Sequence, residues 1–109
     1  RRQPARTAAG PVTDPEAVAA AVLGCPLIAG LTGGRFGEIA TYRAGGRILG
    51  VRQVGDEVEV HVVARWGAPL PEVAEAVRAA AAPHTAGRVV AVFIDDIEVP
   101  GEATVAAPP

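Results

Sequence analysis

With 109 residues the chain is long enough for one domain with a single modest core and too short for two. Half of its residues are apolar, yet the aromatics are one Trp, one Tyr and two Phe, so a core must be built from Ala and Val and buries little area per residue. A net charge of −2 excludes global attraction to nucleic acid or anionic membranes.

Cys25 is the only cysteine, which rules out an intramolecular disulfide and makes a thiol-keeping cytosol the default compartment. All ten basic residues are Arg, a bias that fits a GC-rich bacterial genome better than ten chosen contacts. No apolar run approaches the roughly 18 residues that a membrane span requires. Residues 17–23 are apolar but short and lack the flanks of a signal peptide. Met is absent even from position 1, so the natural start is expected upstream.

Residues 1–12 carry Arg1, Arg2 and Arg6 among small and polar residues without an acid, and are expected to form a loose arm. Thr13-Asp14-Pro15-Glu16 predicts a helix start, with Thr13 or Asp14 as cap, Pro15 in the first turn and Glu16 completing a capping box. That helix runs through Val18, Ala21 and Val22 and stops near Gly24-Cys25-Pro26. A short apolar strand at residues 27–31 follows, then the glycine-rich loop of residues 32–37, expected to be a flexible turn.

Residues 38–43 alternate like a strand, Ala44-Gly45-Gly46 makes a tight turn, and residues 47–54 (RILGVRQV) are expected as one further strand. Gly55-Asp56 predicts a two-residue hairpin whose Gly-first order favours a type II′ turn. The strongest strand signal comes next: Val58, Val60, Val62, Ala64 and Trp66 alternate with Glu59, His61, Val63 and Arg65. Gly67 breaks it, and Pro69 and Pro71 lead into a helix with Val73, Ala76, Val77 and Ala80 on one side and Glu72, Glu75 and Arg78 on the other. Residues 83–87 break the chain again. The last strand, residues 88–99, has a continuous apolar run at residues 89–94 that predicts burial on both faces near the sheet centre. Residues 101–109 are expected to be a loose tail.

These elements predict one α+β domain over residues 13–100. It is a two-layer sandwich in which two helices cover one face of a mixed, mainly antiparallel sheet of three to five strands.

No motif carries chemistry. Gly33-Gly34-Arg35-Phe36-Gly37 leads into a strand and lacks the settings that cradle phosphate. Alternation sends Asp96 and Glu98 to one face and Asp95 to the other, so the acids read as solvated strand-end carboxylates. His61, His84 and Cys25 have no zinc spacing, and a Cys–His pair requires the fold to bring Cys25 to either histidine. The arm's three arginines read as a solvated tail, and the scattered aromatics form no stacking platform for single strands. No catalytic, cofactor-binding or metal residue is therefore assigned. The helix-free face around His61 and Arg65, with Trp66 beside it, is the expected interaction surface. Trp66 itself is either an anchor of the helix layer or a partner contact.

The stretch from the residue 58–66 strand through Trp66-Gly67 and Pro69-Leu70-Pro71-Glu72-Val73-Ala74 closely resembles the alkaline-shock, Gls-type envelope stress response family of bacteria. The preceding helix, Pro26-Leu27-Ile28-Ala29-Gly30-Leu31, the glycine loop and the Val-rich last strand ending in Asp96-Ile97 agree in order, so the resemblance covers residues 14–99. It implies a non-enzymatic cytoplasmic protein of cell-envelope homeostasis, without cofactor. Such a protein acts as a scaffold at the inner membrane face through a membrane-anchored partner and associates with itself or a paralogue. Neither direct membrane insertion nor nucleic-acid binding is implied. The alternative reading is a small nucleic-acid or ribosome-associated module using Arg35, Arg43, Arg47 and Arg52 around the glycine turns.

Overall fold

The computed structural model describes residues 13–99. The arm at residues 1–12, the tail at residues 101–109 and the domain's expected last residue, Pro100, lie outside the described residues. The described chain is α+β, with two helices, a mixed four-stranded sheet and a separate two-stranded sheet.

Helix α1 (Pro15–Leu23) starts where Asp14 Oδ1 accepts from the Ala17 N–H at 3.1 Å. The cap is thus Asp14, and Pro15 loses no helical hydrogen bond in the first turn. Strand β1 (Ile28–Leu31) follows, then the hairpin β2 (Ala40–Arg43) and β3 (Gly46–Leu49), in which Arg43 faces Gly46. Strands β4 (Val51–Val54) and β5 (Glu57–Arg65) form a second hairpin across Gly55-Asp56. Gly55 has the positive φ, +59°, that a type II′ turn needs at its first central residue. Helix α2 (Leu70–Ala81), a short 3₁₀ turn (Ala82–His84) and β6 (Val89–Glu98) complete the chain.

The strand expected over residues 47–54 is two strands, because Gly50 breaks it. Gly50 sits at φ +85°, and a Cβ there would come within 2.9 Å of Leu31 Cβ and 3.0 Å of the His61 carbonyl oxygen. Its backbone joins three segments: Gly50 N–H donates to Ile39 O, and Gly50 O accepts from His61 N–H, both at 2.8 Å. The glycine loop makes hydrogen bonds and contacts of its own. Gly33 is buried beneath Leu49, Gly34 N–H donates to Thr32 Oγ1, and Phe36 N–H donates to a Glu38 carboxylate oxygen.

Strand β5 is the spine of the larger sheet. Its first half pairs antiparallel with β4 and its second half with β1 along the same edge, while β6 runs parallel along the other edge. A parallel neighbour needs a crossover, and α2 supplies it in a β5–α2–β6 unit. This corrects the placement of the apolar run at residues 89–94: β6 is an outer strand, half-buried or exposed along its whole length, and the central strand is β5. A hydrophobic run also suits an edge strand that carries apolar residues on its outer side.

Val58, Val60, Val62 and Ala64 of β5 are fully buried against Val18 and Val22 of α1 and Val73, Val77 and Ala81 of α2. Ile28 and Val51 extend this layer, and Val90, Val92 and Ile94 pack at its margin. Both helices therefore lie on one face. Burying each such valine side chain contributes about 1.5–3 kcal/mol.

Candidate functional site

The opposite face of β5 carries Glu59, His61, Val63 and Arg65, and no helix among the described residues covers it. The two-residue hairpin fixes the β4–β5 register, which sets Arg52 directly opposite Glu59. Arg52 Nη2 donates to Glu59 Oε1 at 2.9 Å, and Arg52 Nε donates to the same oxygen at 3.3 Å. His61 Nε2 reaches that oxygen at 3.3 Å, while His61 Nδ1 meets Asp95 Oδ2 at 2.8 Å. The result is a chain of four side chains, Arg52–Glu59–His61–Asp95, running across three strands.

His61 is only 8% exposed because the parallel register sets Phe93 beside it and the two rings stack. Both ring nitrogens are taken by carboxylates. Through these two contacts the ring ties β5 to β6. The same contacts act on Glu59: burial pushes its carboxyl pKa up, but the hydrogen bonds from Arg52 and His61, with their charges, outweigh this and hold it below the ordinary 4.5.

The acids of β6 are arranged differently from simple alternation. The ladder slips between Val62 and Val63, pairing Val62 with Ile94 but Val63 with Asp96, so Asp95 is an extra, bulged residue. Both aspartates then line one open cleft of about 470 Å³ with Thr32, Gly34 and Arg35. This corrects the expectation that Asp95 and Asp96 point to opposite faces. Among the described residues no group of three or more His, Cys, Asp or Glu is arranged to hold a metal ion.

Comparison with known families, with curated proteins and with solved structures finds no match.

Of the expected interaction surface, His61 is buried within the network, whereas Arg65 and Trp66 are exposed. Arg65 Nε donates to Pro26 O at 2.8 Å, and Nη1 pairs with Glu98 at 3.3 Å, bracing the ends of β1, β5 and β6. Trp66 is 62% exposed and anchors nothing in the helix layer. Cys25 meets neither histidine. Its thiol lies between Ala21 O and Ala76 O in the helix layer, across the sheet from His61. His84 sits at the other end of α1, where its carbonyl accepts from Asp14 N–H, and nine residues of helix span about 13 Å.

The four arginines of the alternative reading each have neighbours of their own. Arg43 pairs with Glu16 at 2.7 Å, Arg52 with Glu59, Arg35 lines the acidic cleft, and Arg47 lies over Gly37. Phe93 and Asp95 are site residues that sequence reasoning missed. Arg52 opposite Glu59 was countable from the Gly55-Asp56 turn, but Phe93 beside His61 depends on a parallel register that no local signal sets.

Proposed function

We propose that this chain is a non-enzymatic interaction module of the bacterial envelope stress response, serving as a scaffold through the open edge of its larger sheet. The observation that carries the reading is β6. It spans ten residues, pairs only with β5 among the described residues, and exposes Val89, Phe93 and Ile97. An unpaired edge of that length offers free backbone donors and acceptors beside apolar side chains, which is how sheets take up further strands.

The resemblance across residues 14–99 supplies the envelope context, and the occupied nitrogens of His61 favour a structural over a catalytic part for the polar cluster. No helix among the described residues is long and apolar enough to cross a membrane. The proposed location is accordingly cytoplasmic and peripheral, at the inner membrane face through a membrane-anchored partner.

The test is genetic. Deleting the gene in the bacterium that encodes it should sensitise cells to alkaline shock and cell-wall antibiotics, and a plasmid copy should restore resistance. Unchanged sensitivity under both stresses overturns the envelope role.

A further inference from the structure

We infer that the β2–β3 hairpin and the glycine loop beside it form a contact surface for an anionic lipid bilayer, touched by Phe36, Tyr42 and Arg47 without being crossed. Charge is divided unevenly between this lobe and the rest of the domain. Residues 32–49 hold three arginines (Arg35, Arg43 and Arg47) against one acid, Glu38, whereas the other residues of 13–99 hold four arginines against ten acids. A small net charge thus conceals a basic end on an acidic body. The field of such a molecule turns its basic end toward an anionic surface.

The same end exposes aromatic rings. Phe36 is 83% and Tyr42 68% exposed, the two highest values among the large apolar side chains described. Tyr42 stands directly opposite Arg47 in the hairpin register, so both side chains leave the small sheet on one side. Arg47 Nη1 lies 3.6 Å from where a Cβ on Gly37 would stand, and Gly37 follows Phe36 in the chain. The guanidinium is therefore next to both aromatic positions, and it makes no ion pair among the described residues. The hairpin's other side is held by the domain: Thr41 Oγ1 donates to Val51 O at 2.6 Å, Ile48 packs against the core and Arg43 pairs with Glu16. The lobe's one acid, Glu38, accepts from the Phe36 N–H.

Exposed rings beside a long basic side chain suit the headgroup region, where aromatic residues collect and arginine keeps its charge in water. A single strand of nucleic acid asks for more, namely a groove that follows several phosphates and a row of stacking rings. Arg43 and Arg52 are instead taken by Glu16 and Glu59, and Arg35 shares its cleft with Asp95 and Asp96. Lipid is the better fit. A contact of this size is weak and reversible, as any single small anchor is.

In flotation at millimolar lipid and low salt, vesicles of phosphatidylglycerol mixed into phosphatidylcholine should carry the full chain upward. Vesicles of phosphatidylcholine alone should carry far less, and added salt should weaken the binding. Arg47→Glu reverses a charge at the contact and should lower the partition coefficient roughly tenfold. Phe36→Ala should lower it about fivefold. Both side chains are exposed, so circular dichroism should not change. Trp66→Ala removes an exposed ring outside this lobe and should float like the wild type. Absence of flotation, equal flotation with both lipids, or equal losses in Trp66→Ala and Phe36→Ala overturns the inference. So does a chain that ignores vesicles but binds an oligouridylate through Arg47, which makes the lobe a nucleic-acid contact. None of these results bears on the envelope role, which the deletion phenotype decides.

Discussion

Phe93 lies flat on His61, ring centroids 4.4 Å apart and planes within 5° of parallel. The contact joins β5 to the edge strand on the face without helices, where few apolar neighbours are on hand. His61 therefore holds β6 in two ways, through this stack and through the hydrogen bond from Nδ1 to Asp95. His61→Ala removes both and leaves Asp95 without its ring partner, and should cost about 1–3 kcal/mol of unfolding free energy in urea titrations. His61→Phe keeps a ring against Phe93 but no hydrogen bond, and should recover part of that loss. Equal losses for the two variants would show that the stack contributes nothing.

Glu59 predicts how stability depends on acid. Its folded carboxyl pKa lies below the ordinary 4.5, because the hydrogen bonds from Arg52 and His61 prevail over burial. A carboxyl with a depressed folded pKa stabilises the native state above its unfolded pKa. That contribution fades as pH falls through the folded value. Urea midpoints of the wild-type chain should thus decline as pH drops below 4.5. Glu59→Gln should start less stable at neutral pH and decline less over the same interval. Parallel profiles for the two proteins would place the acid sensitivity elsewhere.

Two glycines separate backbone strain from crowding. Gly45 has φ +88° with open space where a Cβ would stand, so Gly45→Ala costs only the left-handed conformation, about 1–2 kcal/mol. Gly50 has nearly the same φ, but its added Cβ would press on Leu31 and on the His61 carbonyl, where β1, β4 and β5 converge. Gly50→Ala should therefore lower the melting temperature more than Gly45→Ala. Equal shifts would mean that the β3–β4 break can relax.

Much of the architecture is legible in the residues. Alternation from Val58 to Ala64 identifies the buried face of β5 correctly, and Pro15, Pro71 and Gly55 mark helix starts and a turn for reasons local to each. What the sequence does not disclose is non-local. Nothing near Val89 says whether β6 will have one neighbour or two, because an apolar run serves a central strand and an unguarded edge equally well. Asp95 carries no glycine to announce a bulge, so alternation separates it from Asp96 when the slipped ladder in fact brings them together. Gly50 reads as one residue within a single strand over residues 47–54, and only the approach of β1 and β5 makes it a break. The polar cluster depends on all three of these, which is why Glu59 and His61 could be placed on one face but not linked to Phe93 and Asp95.

Trp66 is the last test, since its aromatic–Gly position invites an assignment to the core. In the structure it follows β5 on the surface, 62% exposed, whereas Val62 four residues earlier is fully buried between sheet and helices. Trp66→Ala should therefore change stability by no more than about 1 kcal/mol. Val62→Ala, which opens a cavity under both helices, should cost about 2–3 kcal/mol. Trp66 is the only tryptophan, so fluorescence reports this site alone. Acrylamide should quench it strongly in the isolated chain. Protection from quenching only when a binding partner is added would make Trp66 a contact residue. Strong protection in the isolated monomer, or a large loss of stability in Trp66→Ala, would return the side chain to the core.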